Sequence, residues 1–381
     1  MIYKEFGKSG KKVSALGFGA MRLPMQKNGS KKVDYDLAVP LMQEAFELGV
    51  NYIDTAPGYC DRDSEVAVGK ALKGWRDKVY LSTKNPIEND SGDDWRKRLE
   101  GSLEKLDTDY IDFYHMWGIG LESFRTKIDV KNGPIEAAQK ALDEGLIKHL
   151  SFSFHDKPEN MFPIIDSGYF SSVLCQYNLL DQSNEEAMAY AKSKGLGVVG
   201  MGPIGGGRLG APSDLIKNMI GRDVKSTAEM ALRFVLSNPN MDIALSGMEN
   251  LEMLRENAKI ANIEGHLTPD ELSKVEAMMA ENKKLAELYC TGCNYCLPCP
   301  KNINIPHVFT LMNYHKVYGI TDHARKQYES LLVPMAERTA DWHKSQGVSA
   351  DECIHCGVCE AKCPQHLSII KQLEETHLAL G

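Results

Sequence analysis

The first 265 residues alternate between two sequence textures, and this alternation constrains the fold more than any other feature. Short apolar runs rich in β-branched and aromatic residues predict eight buried strands: ALGFG, NYIDT, VYLSTK, YIDFYHM, IKHLSFS, SVLCQY, GVVGM and IALSG. Amphipathic stretches of helical period separate them, and Gly49, Gly145 and Gly195 each end one directly before a strand. Eight strand–helix units in about 250 residues predict an α/β fold, the (β/α)8 TIM barrel.

A doubly wound sheet is the alternative fold for the same alternation. GMGPIG, residues 200–205, matches the GxGxxG pattern of dinucleotide binding and follows a predicted strand. In that pattern a helix opens directly after the glycines, whereas here Pro203 interrupts and GGRLGAPSD follows. We interpret the segment as a glycine-rich loop at the top of a barrel, where backbone N–H groups can approach a phosphate.

Cysteines are concentrated in residues 290–381, which contain eight of the ten. Two segments, CTGCNYCLPCP and CIHCGVCEAKCP, each place three cysteines at every third position and add a fourth, three positions further in the first and four in the second, directly before proline. CxxCxxC brings three soft thiolates to one cluster, and the cysteine before proline typically ligates the other cluster of two-cluster ferredoxins. The pattern predicts two 4Fe–4S clusters, with a pair of zinc sites as the alternative. The predicted ligands are Cys290, Cys293, Cys296, Cys299, Cys353, Cys356, Cys359 and Cys363.

A single helix is predicted between the two parts of the chain. HLTPDELSKVEAMMAENKKLAELY has Thr268 as its N-cap and Pro269 in its first turn. We therefore expect a barrel over residues 1–265, a linker helix over 266–289 and a mainly helical ferredoxin-like domain over 290–381. The long insertion of helical pattern between the cysteine motifs resembles the α-helical ferredoxin type rather than the compact bacterial one.

Charge and apolar content limit the partners and the location. The formal net charge of −8 opposes binding to nucleic-acid phosphates. No apolar run approaches the roughly 18 residues that a membrane span needs. Because the first residues, MIYKEFGKSGKK, lack the apolar centre of a signal peptide, we expect a cytoplasmic protein that binds neither nucleic acid nor membranes.

Four polar side chains follow successive predicted strands at the end where barrel active sites lie. NYIDTAPGY gives Asp54 at a strand end and Tyr59 in the loop, VYLSTK ends with Lys84, and YIDFYH ends with His115. Tyrosine has a pKa near 10, and an adjacent Lys84 ammonium held by Asp54 would lower it. We predict that Tyr59 donates a proton to a carbonyl oxygen oriented by His115. Each residue alone is as easily explained by packing or a structural ion pair, but their joint placement favours catalysis.

These segments resemble the aldo-keto reductases. The resemblance is carried by YIDTAPGYCDRDSEVAVGKAL, LSTK, DFYHMW, SFSFHD, QYNLLD and GPIGGGRL, and covers about residues 1–262. It implies a (β/α)8 barrel with an N-terminal hairpin, a small-molecule carbonyl or alcohol substrate, and NADPH or NADH as cofactor. It also implies a catalytic tetrad of Asp54, Tyr59, Lys84 and His115, with cofactor contacts from Ser153, Gln176, Pro203, Gly205, Arg208 and Asn257.

Two segments depart from the family pattern. Phe154 stands where the family often has an asparagine that contacts the nicotinamide amide. Gly247, Met248 and Met253 stand where NADP-selective members carry basic residues for the 2′-phosphate, and Arg255 is the only nearby cation in the sequence. We therefore expect NADH to be accepted as well as NADPH.

Two functions fit these features. In the first, the chain is an NAD(P)H-dependent oxidoreductase whose clusters exchange electrons with a redox partner protein or sense redox state. Nicotinamide transfers two electrons as hydride whereas a cluster transfers one, and the sequence has no legible flavin motif to join the two. In the second, the chain is an electron-transfer or binding module on a non-catalytic barrel with structural clusters. The four retained polar groups favour the first.

Overall fold

The computed structural model describes the whole chain except residues 28–29, 31, 223, 291–293, 339–345 and 364–366, and except the side chains of residues 283–289. Contacts divide the chain into two compact units. The first comprises Met1–Gly206 and Ala231–Leu267, and the second comprises Gly207–Met230 and Thr268–Gly381. A segment that sequence order places between two barrel strands is thus grouped with the C-terminal residues.

Eight parallel strands close into a barrel in the first unit, which confirms the predicted fold class and excludes the doubly wound sheet. An antiparallel hairpin of β1 (Tyr3–Glu5) and β2 (Lys12–Ser14) precedes the barrel, as expected. The barrel strands are β3 (Leu16–Gly19), β4 (Tyr52–Asp54), β5 (Tyr80–Pro86), β6 (Ile111–Ile119), β7 (Ile147–Phe154), β8 (Ser172–Gln176), β9 (Gly197–Met201) and β10 (Ile243–Ser246). Each pairs with the next, and β10 pairs with β3 to close the ring.

Helices follow the strands in sequence, and several end where the glycines predict. Gly49, Gly145 and Gly195 have φ of 92°, 76° and 88°, the left-handed conformation that ends a helix. The helices are α1 (Tyr35–Glu47), α2 (Ser64–Ala71), α3 (Gly92–Leu106), α4 (Leu121–Ser123), α5 (Pro134–Asp143), α6 (Met161–Asp166), α7 (Glu185–Lys194), α8 (Asp214–Lys217), α9 (Thr227–Ser237) and α10 (Leu251–Ala261).

The barrel interior is layered because alternate residues of each strand face inward. Its base is aromatic: Phe6, from the hairpin turn, lies 4.9 Å from Phe113 and 6.0 Å from Tyr52 between ring centroids. His149 stacks on Phe113 at 4.8 Å. Two residues further along the strands the inward side chains become polar. The base is therefore closed by packing, and the polar groups gather towards the carboxyl ends of the strands.

The described part of the second unit is mainly helical, as expected for its C-terminal residues. Its helices are α11 (Pro269–Tyr289), α12 (Ile305–Lys316), α13 (Thr321–Leu332), α14 (Val358–Lys362) and α15 (Ile369–Leu380). Thr268 caps α11, since its Oγ1 accepts from the Glu271 N–H at 3.3 Å. Cys296 and Cys359 lie within a hydrophobic core that includes Tyr328 and Leu373. Across the described residues, we find no helix with the length and apolar character of a membrane span.

Candidate active site and cysteine centre

An ion pair between Asp54 and Lys84 lies inside the barrel, and each residue is about 1% exposed. Lys84 Nζ donates to Asp54 Oδ1 and, at 2.7 Å, to the Thr55 carbonyl. Ser82 lies opposite Asp54 in the strand register and donates to its Oδ2 at 2.7 Å. Burial alone would lower the pKa of Lys84, but the Asp54 charge and further contacts outweigh it and raise that pKa overall. Lys84 is therefore a buried cation whose ammonium group is fixed by its hydrogen bonds to Asp54 and Thr55.

Tyr59 lies beside this cation, with Lys84 Nζ 4.8 Å from the centroid of its ring. Burial raises the pKa of Tyr59, the Lys84 charge lowers it, and the Asp54 charge raises it again. The net effect is a raised pKa. The expectation of a lowered pKa is thus wrong, because desolvation outweighs the attraction to Lys84. At neutral pH the phenol keeps its proton and can donate it.

A left-handed turn fixes the loop that carries Tyr59. Residues 60–62 have φ of 49°, 52° and 70°, although all three carry side chains. This conformation costs free energy for a residue with a side chain and persists only where surrounding contacts stabilise it. Asp63, the next residue, makes such contacts: its carboxylate accepts hydrogen bonds from the Val33 N–H and the Tyr35 hydroxyl, each at 2.9 Å. The position of Tyr59 is therefore set before any ligand arrives.

His115 is fully buried in the same interior, and its ring nitrogens make no hydrogen bond of good geometry among the described residues, although the Phe152 backbone lies close enough to act on the ring. Desolvation lowers its pKa to about 4; the Asp54 charge and the nearby Phe152 backbone oppose this, and the Lys84 charge adds to it. The ring is therefore neutral at pH 7. A neutral imidazole keeps one N–H donor, so this group can donate a hydrogen bond to a ligand.

Strand β6 continues past His115 to Ile119 through a bulge, where the sequence pattern ended it at His115. Gly118 has φ of 65°, and its N–H donates to Ser153 Oγ at 2.7 Å. The bulge aims Trp117 at Tyr59, and the two rings meet edge to face at 5.8 Å. A Cβ at Gly58 would lie only 3.2 Å from the Trp117 ring. Trp117 thus forms a wall beside the candidate acid.

The predicted nicotinamide residues end neighbouring strands. Ser153 belongs to the last residue pair between β7 and β8, and Gln176 is the last residue of β8. The Gln176 amide lies against Gly202, where a Cβ would come within 3.0 Å of both its terminal atoms. Only glycine therefore leaves room for this side chain. Asn257, also predicted, is buried and donates from Nδ2 to Ser246 Oγ at 3.2 Å.

The glycine-rich segment continues from Pro203 into a 3-10 turn over Gly205–Gly210, in which Gly205 has φ of 55°. Arg208 belongs to the second unit, where Nη1 donates to the Tyr314 hydroxyl and the guanidinium lies 5.5 Å from that ring. The described contacts of this predicted cofactor residue are thus made with helix α12.

Sequence reasoning missed one cation of the first unit. Arg22 Nη2 donates to the Gly206 carbonyl at 2.8 Å, and its side chain runs past Gly247. The available signal was a single basic residue in MRLPM, directly after the first barrel strand. Arg255, which the sequence singled out near the last strand, pairs with Glu44 at 2.9 Å. Of these two cations, Arg22 lies next to the glycine-rich loop.

Cysteines from both motifs of the second unit line one cavity. Its lining includes Cys296, Cys299, Cys353, Cys356 and Cys359, together with apolar side chains such as Ile303 and Leu373. Among the described residues, no three His, Cys, Asp or Glu side chains converge on one ion position, the arrangement that a zinc site would need. Cys290 and Cys363 pack against the same core, and Cys293 lies outside the described residues.

Left-handed residues shape the described parts of both cysteine turns. Asn294 follows Cys293 with φ of 64°, and His355 and Gly357 flank Cys356 with φ of 56° and 71°. Asn, His and Gly tolerate this conformation better than most residues. Thiolates around an apolar cavity suit an iron–sulfur cluster.

The barrel thus gathers a protonated tyrosine, a buried lysine and a neutral histidine towards the carboxyl ends of its strands. Residues 15–280 match the model of the aldo/keto reductase family, and the chain belongs to this family. Residues 289–368 match the model of a 4Fe-4S dicluster domain. The protein is therefore an aldo/keto reductase-type oxidoreductase with a C-terminal iron–sulfur domain.

Relatives of the barrel are similar over most of their own length. The chain is 31% identical to L-galactose dehydrogenase of Arabidopsis thaliana, over 74% of this chain and 95% of that protein. It is 27% identical to the uncharacterized oxidoreductase YqkF of Bacillus subtilis, over 73% and 96%. Among solved structures, it is similar to the holo form of aldo-keto reductase AKR11C1 from Bacillus halodurans, with a TM-score of 0.63, 28% identity and coverage of 73% and 96%.

Proposed function

We propose that the barrel interconverts carbonyls and alcohols with NADH or NADPH, and that Tyr59 is the general acid. The observation that carries this proposal is the buried, neutral His115 beside the buried Lys84 and the protonated Tyr59. A histidine buried beside a cation, with no hydrogen bond of good geometry from its ring nitrogens among the described residues, favours a role in binding a ligand, because an unsatisfied polar group costs about 1–3 kcal/mol.

Each tetrad residue has a distinct role in the proposed reaction. When bound, nicotinamide supplies the hydride for reduction or accepts it in oxidation. His115 donates a hydrogen bond to the substrate oxygen, and Tyr59 gives its proton to the same oxygen. Lys84 then stabilises the tyrosinate that remains, while Asp54 keeps Lys84 charged and in place. In alcohol oxidation the tyrosinate takes the proton back.

The cofactor contacts are proposed from the strand ends. Ser153 and Gln176 would hold the nicotinamide, and Pro203, Gly205 and Arg208 would hold the pyrophosphate, with Asn257 in the segment after the last strand. Glycines permit close approach of backbone N–H groups to an anion. Arg22, bound to the Gly206 carbonyl, adds a cation and a tether for this loop.

For the cysteine domain we propose two 4Fe–4S clusters that transfer electrons to or from a redox partner protein, or sense redox state. The cavity lined by cysteines of both motifs supports a cluster at this place, and we assign Cys299, Cys353, Cys356 and Cys359 to it. Cys290, Cys293, Cys296 and Cys363 would hold the other. Anaerobic purification with iron and sulfide analysis tests this: about eight irons per chain support two clusters, and about four contradict them.

Steady-state oxidation of NADH or NADPH with a panel of small aldehydes tests the barrel activity. The assay uses the full chain, purified without oxygen so that any cluster stays intact. Turnover that depends on the aldehyde supports the proposal. Cofactor binding without turnover of any carbonyl or alcohol would instead favour a binding module on an inactive barrel.

The pH dependence should reflect the two shifted groups. His115, with a pKa of about 4, stays neutral above pH 5, and Tyr59, whose pKa is raised, stays protonated until above about 10. Reduction requires both of these forms, so its kcat/KM should be level from pH 6 to 9 and fall only at higher pH. Oxidation requires tyrosinate and should rise over the same range. A reduction rate that drops between pH 6 and 8 would contradict these assignments.

Cofactor preference should be weak or favour NADH. The family positions for 2′-phosphate contacts hold Gly247, Met248 and Met253, and Arg255 is already paired with Glu44. A charge-assisted contact to that phosphate is worth about 1.5–3 kcal/mol, or roughly 10–100-fold in affinity. Fluorescence titration should therefore give a Kd for NADH no higher than that for NADPH.

A matched variant calibrates the cofactor titration. Met253 is 45% exposed, so Met253→Arg places a cation at the family position without disturbing the core. It should tighten NADPH binding and leave NADH binding nearly unchanged. A preference for NADPH of about 100-fold in the unaltered chain would mean that another cation binds the phosphate.

A further inference from the structure

His155 continues the inward face of strand β7 one step beyond the predicted cofactor residue. His149, Ser151 and Ser153 alternate with outward residues, and the buried Ser151 hydroxyl meets that of its register partner Ser172 on β8 at 2.6 Å. His155 follows in the same alternation, just past the strand end at Phe154. It therefore stands at the rim of the barrel opening, above the layer that holds the tetrad.

The ring of His155 leans towards strand β6, where the candidate acid and its wall lie. Its Cδ2 is the closest atom to a Cβ built on Gly118, at 3.7 Å, and its N–H donates to the Ile119 carbonyl at 3.2 Å. Gly118 directly follows Trp117, whose ring meets Tyr59. Strand β8, which carries Gln176, is on the other side of β7. His155 thus faces the substrate side of the opening.

The electrostatics of His155 agree with this placement. Partial desolvation lowers the pKa of His155 and the Lys84 charge lowers it further, so the ring lies within the electrostatic reach of Lys84 although the residue is exposed. A neutral imidazole offers one donor and one acceptor nitrogen. No side-chain hydrogen bond of His155 is found among the described residues. Its polar atoms are thus available to a ligand.

We infer that His155 is a substrate-binding residue that selects hydroxylated carbonyl compounds, by a hydrogen bond to a hydroxyl group beyond the carbonyl carbon. The inference rests on the proposed carbonyl reduction. His115 and Tyr59 serve the carbonyl oxygen, Trp117 covers one apolar face of the substrate, and His155 is the next polar group outward. A substrate that carries hydroxyls would satisfy it, whereas a plain alkyl aldehyde would not.

Glyceraldehyde and propanal test the inference, because both have three carbons and differ in their hydroxyl groups. The measured quantity is the ratio of kcat/KM for glyceraldehyde to that for propanal. His155→Phe should lower this ratio about 10-fold, the usual effect of one lost hydrogen bond, and His155→Gln should restore part of it. Glu159→Gln, an exposed change in the same loop, is the control and should leave the ratio unaltered.

The outcomes separate the inference from the proposed function. If the unaltered chain reduces neither aldehyde nor any other carbonyl, the proposed function fails and the inference falls with it. If both aldehydes are reduced and His155→Phe leaves the ratio unchanged, only the inference is overturned. A raised Kd for NADH in His155→Phe, with the ratio intact, would place His155 in the cofactor site and also overturn it.

Discussion

Replacing Tyr59 by phenylalanine should abolish most carbonyl reduction while leaving the cofactor bound. The substitution keeps the ring against Trp117 and removes only the proton donor. General acid catalysis typically contributes 10²–10⁴-fold, so kcat should fall by at least about 10²-fold, or roughly 2.7 kcal/mol of barrier. The cofactor Kd should not move, because Tyr59 has no part in the proposed cofactor contacts. Steady-state kinetics and a cofactor titration on the same preparation measure both.

Tyr80→Phe is the matched control for this experiment. Tyr80 also lies on a barrel strand beside Phe113, and burial raises the pKa of its phenol too, but it stands at the base, away from the tetrad. Its loss should leave kcat within about twofold, as expected for a change that removes no group acting on the substrate. Near-normal turnover in Tyr59→Phe would assign the proton to another donor. Lys84 is a poorer first target, because removing one partner of a buried ion pair costs about 3–5 kcal/mol of stability.

Local sequence signals were sufficient for the barrel because they act within a few residues. Each apolar run predicts one strand, and the glycines at 49, 145 and 195 each predict the end of one helix. The structure has these strands and helix ends where the pattern places them. The inward alternation then follows from strand geometry alone. For this reason the approach of Asp54, Lys84 and Tyr59 could be predicted without any knowledge of side-chain positions.

Side-chain pKa values and contacts between distant residues could not be predicted from the sequence in the same way, because they depend on the three-dimensional surroundings of each group. The pKa of Tyr59 is the balance between burial and two opposite charges, and sequence spacing gives the charges but not the burial. The bulge in β6 arises from the Gly118 N–H reaching Ser153 on the next strand, a contact between residues 35 positions apart. Arg22 and Gly206 are joined across an even longer stretch. Such contacts have no local sequence signature.

The cysteine motifs lie between these two cases. Their spacing indicates clusters because three thiolates must reach one cube face from a short turn. Spacing alone leaves open which cluster Cys299 joins, because only two residues separate it from Cys296, where three are usual. Cys296 and Cys299 both line the cavity that also contains Cys353, Cys356 and Cys359, so the cavity brings the two motifs together without assigning Cys299 to one cluster. By analogy with two-cluster ferredoxins we predict crossed ligation, in which each motif supplies its last cysteine to the cluster of the other.

Pairwise serine substitutions should distinguish crossed from local ligation through iron content. In the crossed arrangement Cys299 and Cys353 serve one cluster, so Cys299→Ser with Cys353→Ser should lose only that cluster and retain about four irons. Cys299→Ser with Cys290→Ser should lose both clusters and retain almost none. Local ligation gives the reverse result for the two pairs. Anaerobic iron and sulfide analysis of the full chain measures the difference, with the unaltered chain as reference.

A domain that unfolds after losing one cluster would lose all its iron in every variant, because cluster binding and folding are linked. The crossed arrangement makes this coupling strong, since each cluster then joins the two cysteine segments across helices α12 and α13. Circular dichroism identifies such variants, and an anaerobic crystal structure of the loaded chain then decides the wiring directly. Cys299 bound to the same cluster as Cys290 would refute crossed ligation. Cys299 and Cys363 each bound to the cluster of the opposite motif would establish that neither cluster can assemble fully from one segment alone.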